Sequence, residues 1–146
     1  MFLSIQRVSL IRESGLKPYG KVTSVDNARK VLCDYYAHMA FAQEVFVVMT
    51  LDTKHNITGV VEITRGILDA TLIHPREVFA PAIIAKAAAI IVAHNHPSGN
   101  ASPSREDIQV TVQLREAGKV LGITVLDHIV VGDHTGETTS LQALGV

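Results

Sequence analysis

The 146-residue chain has no tryptophan and only 5% aromatic residues, so its interior has to be built from aliphatic side chains. A single cysteine, Cys33, excludes an intrachain disulfide. It lies in VLCDYY, a helical context in which a lone cysteine reads as a small core residue rather than a nucleophile. The longest apolar run, Ala87–Ala93, is far too short to span a bilayer. The N-terminus shows no apolar segment followed by a small-residue cleavage site, so no signal peptide is expected and the chain reads as cytoplasmic. Neither sign of charge is in excess. The formal net charge of −1 gives no general electrostatic reason to bind nucleic acid. Repeats, low-complexity tracts and linkers are absent as well.

What is present is a chain with 47% hydrophobic and 18% charged residues, the balance of a folded domain rather than of a disordered segment. Its length suits one domain with a core of its own. Residues 6–13 read as an edge strand within an N-terminal extension over 1–21, and the domain proper occupies 22–146. Thr23 or Ser24 opens a helix running to about Ala42, with Asp26 favourably placed in its first turn and Val25, Ala28, Val31, Leu32 and Tyr35 as its apolar stripe. EVFVVMTLD (44–52) is too continuously apolar for a half-exposed strand and predicts a buried central one. After a turn over Asp52–Asn56, ITGVVEITRG (57–66) predicts its antiparallel partner.

A helix starts at Pro75, whose fixed φ suits the first turn, and Pro81 inside it predicts a kink or a restart. AAAIIVAHN (87–95) predicts a second buried strand. Ser104 caps a third helix ending at Gly122, ITVLDHIVVGD (123–133) predicts another strand, and the tail a turn, a short strand and a final helical turn. The order predicts an α/β fold, a mixed sheet flanked by helices.

The chemistry concentrates in AHNHPSGNASPSRED. His94 and His96 stand two apart at a strand end. Period-two alternation points both imidazoles to one face, with Cα atoms roughly 6.6 Å apart, close enough to share a metal. Asp107 follows in the first turn of the next helix, which the loop folds back toward the strand end. Two histidines and a carboxylate leave a fourth tetrahedral position for water, the pattern of a catalytic zinc site. Each residue alone has a plainer explanation. His-x-His is common at strand ends, and Ser104-x-x-Asp107 is also a capping box. Their joint order of strand end, Gly/Pro loop and capped helix favours the metal.

His94-x-His96-Pro97 followed by Ser104-x-x-Asp107 resembles the JAMM (MPN-plus) metalloprotease motif. HNHPSG…PSREDI, with IHPREVF (73–79) upstream and LGITVLDHIVVGD (121–133) downstream, is similar to the RadC family over roughly residues 22–145. The resemblance implies a mixed α/β fold around a curved sheet, a cytidine-deaminase-like JAB/MPN architecture. It also implies Zn²⁺ on His94, His96 and Asp107, and a glutamate at the start of a buried strand that takes a proton from the attacking water. Glu44 stands at that place, and a charged residue opening a buried strand beside a metal suits a general base. Glu62, in the partner strand, is the rival. Ser104 would hydrogen-bond the developing oxyanion.

The implied activity is zinc-dependent hydrolysis of a peptide or isopeptide bond in a peptide or protein substrate. A catalytically silent interaction module and a RadC-type protein linked to DNA repair are the alternatives. Only about 20 residues precede the first helix, so the N-terminal helix-hairpin-helix-like region common in RadC proteins is expected to be missing, as are the insertions by which eukaryotic JAMM deubiquitinases grip ubiquitin. The exposed sheet edges allow a homo-oligomer or the addition of an extended peptide.

Among other residues, His74, Pro75 and Glu77 suit a helix start, with Arg76 a weaker candidate for substrate. Gly99 and Ser98 shape the loop. Asn95 should face away from the metal and tie the loop down. His128 reads as a packing residue, and His38, His55 and His134 as surface or loop residues.

Overall fold

The computed structural model describes residues 20–39, 43–66 and 73–146. The expected edge strand over 6–13 and the expected end of the first helix at Ala42 lie outside them. The described elements are α1 (Val25–Met39), β1 (Glu44–Leu51), β2 (Ile57–Gly66), α2 (Pro75–Ile84), β3 (Ala89–His96), α3 (Arg105–Leu121), β4 (Thr124–Gly132) and β5 (Thr138–Ser140).

The strands form one mixed sheet in the order β2-β1-β3-β4-β5. β3 and β4 are parallel and joined through α3, and the other pairs are antiparallel. The continuous apolar run of β1 is explained by its place. With a neighbour on each side and helices on both faces, every residue from Val45 to Leu51 is buried. β2, whose one strand neighbour among the described residues is β1, is the half-exposed edge, as its interleaved polar residues require.

The pleat divides the core in two. Val45, Val47, Met49 and Leu51 of β1 pack with Ala89, Ile91 and Ala93 of β3 against Leu32, Tyr35 and Tyr36 of α1. Phe46, Val48, Ile90 and Val92 point to the opposite face and pack against Val78 and Phe79 of α2 and Val110 and Leu114 of α3. Full burial of such side chains contributes about 1.5–3 kcal/mol each. This two-sided enclosure fixes the register of β3, and with it the face on which His94 emerges.

Two expectations need correction. Of the two outcomes expected at Pro81 the restart does not occur: α2 continues through it to Ile84. The carbonyl that Pro81 leaves without a helical donor belongs to Glu77, which is exposed, while the Pro81 ring is buried and its own carbonyl accepts from Ala85 N–H at 2.9 Å. The tail ends in hydrogen-bonded turns over 141–145 rather than a helical turn. Leu144 and Gly145 bond back three residues, the pitch of tight turns.

Candidate metal centre

The site lies where the parallel pair β3/β4 presents its carboxyl ends, the usual crevice of an open α/β sheet. His94 and His96 close β3, and the loop 97–104 leads into α3. Ser104 is the N-cap. Its hydroxyl accepts from Asp107 N–H at 3.1 Å, and its own N–H donates to Asp107 Oδ2 at 2.7 Å, a complete capping box. The plain reading of Ser104-x-x-Asp107 as a capping box holds. The box that starts the helix also sets the carboxylate beside the histidines.

His94 Nε2 lies 3.0 Å from His96 Nε2 and 3.2 Å from Asp107 Oδ1, and His96 Nε2 lies 3.5 Å from Asp107 Oδ2. Among the described residues this is the group of three that could hold a metal ion, its ligand atoms within 4.8 Å of one another. Both imidazoles turn Nδ1 away. His96 Nδ1 faces the Asn100 carbonyl at 2.8 Å; a carbonyl can only accept, so the ring proton sits on Nδ1 and Nε2 faces the site. The hydrogen bond to Asp107 raises the His96 pKa above its ordinary value; burial opposes this, and the Asn100 carbonyl and the charges of Asp107 and Glu44 add to it. Burial alone would raise the Asp107 pKa, yet its contacts with His94, His96 and Ser104 hold it far below the usual carboxylate range.

The loop's shape depends on two glycines. Gly99 has φ +85°, which favours glycine, and Gly132, at the end of β4, approaches it so closely that a Cβ there would stand 2.1 Å from the Gly99 carbonyl oxygen. The sequence marks Gly132 only as a strand end.

Glu44 opens β1 on the same sheet face as Phe46, whose ring stacks on His94 with centroids 6.2 Å apart. Continuing the Phe46–His94 register by two residues sets Glu44 across from His96, in keeping with its influence on that imidazole. Asn95 faces the other way, as expected. It is fully buried, accepts from Val45 N–H at 2.7 Å, and donates to Gln43 O at 3.0 Å and to Asp133 Oδ2 at 2.8 Å. Those bonds grip the chain on either side of Glu44. Glu62 is not brought to the site. It pairs with Val47, on the α1 face, and Arg65 holds its carboxylate through two bonds of 2.8 and 2.9 Å.

His128 does more than pack. It is 1% exposed, and its Nε2 lies 2.8 Å from His94 Nδ1. Burial, and then the neighbouring His94, push its pKa well below the ordinary value. Thr111, unnoticed in the sequence, lies 2.6 Å from its other nitrogen. The only signal for either residue was its offset, His128 beside Asp127 on a strand parallel to β3 and Thr111 one turn beyond Asp107. Arg76, His38, His55 and His134 are exposed, and His74 caps α2 by backbone alone.

A family model described as the RadC-like JAB domain matches residues 22–146. The chain belongs to the RadC-like JAB domain family. Its mixed five-stranded sheet flanked by helices is consistent with the JAB/MPN fold. It is similar to a UPF0758 protein of Geobacter sulfurreducens, 46% identical over 77% of this chain and 48% of the relative. A UPF0758 protein of Methanococcoides burtonii is 44% identical over 88% and 54%, and one of Methanospirillum hungatei 55% identical over 71% and 45%. The chain thus spans about half the length of the curated relatives it matches. No helix among the described residues is long and apolar enough to cross a membrane.

Proposed function

We propose that this RadC-like JAB domain is a zinc-dependent hydrolase acting on a peptide or isopeptide bond. The observation that carries the reading is the convergence of His94 Nε2, His96 Nε2 and the Asp107 carboxylate: the two nitrogens lie 3.0 Å apart, His94 Nε2 lies 3.2 Å from Oδ1 and His96 Nε2 lies 3.5 Å from Oδ2. A tetrahedron built on bonds of about 2.0–2.1 Å has edges of about 3.3 Å, the range in which each of these contacts falls. Two imidazoles and one carboxylate are also the donor set that suits zinc.

When bound there, zinc would act as a Lewis acid toward the scissile carbonyl and make water acidic enough to attack near neutral pH. The chain's own residues divide the remaining work. Glu44 takes the proton of the attacking water and returns it to the leaving amine. Asn95 keeps the start of β1, and so Glu44, in register with His96. The Ser104 hydroxyl accepts from Asp107 N–H and keeps its own hydrogen to donate to the developing oxyanion.

Elemental mass spectrometry of the purified protein tests the metal. About one zinc per chain is expected, lost in His96→Ala. No zinc in the wild type after zinc is added back would overturn the reading and leave a silent interaction module. With zinc established, Glu44→Gln should retain the metal and abolish cleavage of any substrate found. Cleavage at the wild-type rate would remove Glu44 as the base.

A further inference from the structure

A buried chain of hydrogen bonds runs behind the three candidate ligands. His94 Nδ1 lies 2.8 Å from His128 Nε2, His128 Nδ1 lies 2.6 Å from Thr111 Oγ1, and Thr111 Oγ1 lies 2.7 Å from the backbone oxygen of Asp107. His94, His128 and Thr111 are each no more than 1% exposed. The chain begins on one ligand and ends on the residue that supplies another, joining β3, β4 and α3.

Its direction follows from donor chemistry. The Asp107 carbonyl has no hydrogen to give, so Thr111 donates to it. Having spent its hydrogen, the Thr111 hydroxyl accepts from His128 Nδ1–H. In the neutral ring, Nε2 of His128 is then bare and must accept from His94 Nδ1–H. His94, with its proton on Nδ1, is left with a bare Nε2, the atom that faces His96 and Asp107. A single backbone carbonyl thus dictates, through two side chains, the tautomer of a candidate ligand.

We infer that His128 and Thr111 are positioning residues that lock His94 in the tautomer and ring orientation able to bind a divalent cation. Metal-binding histidines commonly direct the second nitrogen to a carboxylate or a carbonyl, as His96 does with Asn100. His94 uses a neutral imidazole instead, which is itself ambiguous between donor and acceptor, and Thr111 is what removes the ambiguity. The β4 backbone is prepared for this. Asp127 Oδ1 accepts the His128 N–H at 2.7 Å and anchors the residue that carries the ring.

The inference rests on the metal reading above and is tested by readouts that separate the two. Long-range proton–nitrogen NMR correlations of the imidazoles in the metal-free protein are expected to show the Nδ1–H tautomer at both His94 and His128. Zinc affinity, read by competition with a chromophoric chelator, is expected to fall about 10–100-fold in His128→Phe. His128→Gln, whose amide oxygen can reach the place of Nε2, should restore much of it. Thr111→Val removes the hydroxyl at constant volume and should lower the affinity several-fold and mix the tautomers, with Thr111→Ser close to wild type. The visible spectrum of the cobalt-substituted protein should change in His128→Phe and Thr111→Val but not in Thr111→Ser.

If His128→Phe does not fold, as judged by thermal melting of the metal-free protein, the Thr111 pair decides alone. An Nε2–H tautomer at His94, or zinc affinities of Thr111→Val and of a folded His128→Phe within twofold of wild type, would overturn the relay and leave the metal site standing. A wild-type protein that takes up no zinc would overturn both.

Discussion

Asp107 and Asp127 are two carboxylates bonded to members of the same group of histidines, Asp107 at the side chains of His94 and His96 and Asp127 at the backbone of His128, and their surroundings differ in kind. Asp127, 2% exposed, meets only donors. Its Oδ1 accepts the backbone N–H groups of His128 at 2.7 Å and Gln142 at 3.1 Å, and its Oδ2 the Ser140 hydroxyl at 2.6 Å. Every bond is closed within the protein, and the carboxylate ties β4 to β5 and to the turn after it. Asp107 has one such bond, from Ser104 N–H, and otherwise faces the Nε2 atoms of His94 and His96. Three acceptors turned toward one another repel unless something positive stands between them. A carboxylate surrounded by donors is finished architecture, whereas one facing lone pairs is a place for a cation or a proton. Burial alone would have chosen the wrong one, since Asp127 is the more deeply enclosed.

Exchanging the two charges for amides or apolar groups should separate these roles. Asp107→Asn should bring bound zinc from about one per chain to under a tenth, while the metal-free protein loses no more than about 1 kcal/mol, the scale of a weakened cap. Asp127→Ala should do the reverse. It leaves buried donors without their acceptor, at a cost of about 1–3 kcal/mol in urea unfolding, and still takes up about one zinc per chain at saturating metal, with any loss confined to affinity through the loosened His128. If Asp127→Ala lost zinc as completely as Asp107→Asn, the two carboxylates would be one unit and the contrast would fail.

Gly132→Ala probes the ground between them, at the end of β4. Its new Cβ would meet the Gly99 oxygen at 2.1 Å and push the metal loop outward. The cost should be about 1–3 kcal/mol of stability, with weaker zinc binding in the same variant.

Acid sharpens the contrast from the other side. The His96 pKa is raised by its hydrogen bond to Asp107, so protons compete with the metal at this nitrogen from a higher pH than for an ordinary histidine. Asp107 itself, held far below the usual carboxylate range, stays ionised throughout. Zinc affinity should therefore fall as pH drops through the raised His96 value, approaching about tenfold per pH unit for one displaced proton. The metal-free protein responds with the opposite sign. A histidine whose pKa is higher folded than unfolded contributes stability that is complete below the unfolded value near ~6.5 and is lost as pH rises through the folded one. Chelator competition and thermal melting across the same pH series would show whether the two trends diverge.

Much of this arrangement could be read from the chain before any coordinates. The alternation of β3 put His94 and His96 on one face and Asn95 on the other. The continuous apolar run marked β1 as central, and Ser104 and Gly122 bracketed α3 to the residue. These are local rules, and the elements are long enough to express them. Contacts that join elements distant in sequence were not legible. The 34-residue separation of His94 and His128 carries no periodicity, and the bond exists only because β3 and β4 align in parallel with a register shift between Ile90 and Ile91. The path of α2 through Pro81 was missed for a similar reason. The rule prices an interior proline, but whether the stranded carbonyl falls on an exposed residue depends on packing.

Glu62 and Glu44 give the smallest expected effect and the most exact use of the same reasoning. Both are glutamates on neighbouring strands, and the sequence left either able to serve as the base. The pleat separates them: Glu44 shares a face with Phe46 and His94, Glu62 with Val47 and the α1 side. Their company differs as the two aspartates' does. Arg65 saturates the Glu62 carboxylate from a fork of two donors, whereas the charge of Glu44 is felt at His96. Glu62→Gln weakens an exposed surface pair, and such pairs contribute little. Zinc content, melting temperature and any hydrolytic rate should all stay at wild-type values. A loss of hydrolysis in Glu62→Gln with zinc retained would mean that β2 turns its other face to the site during turnover, which this sheet register forbids.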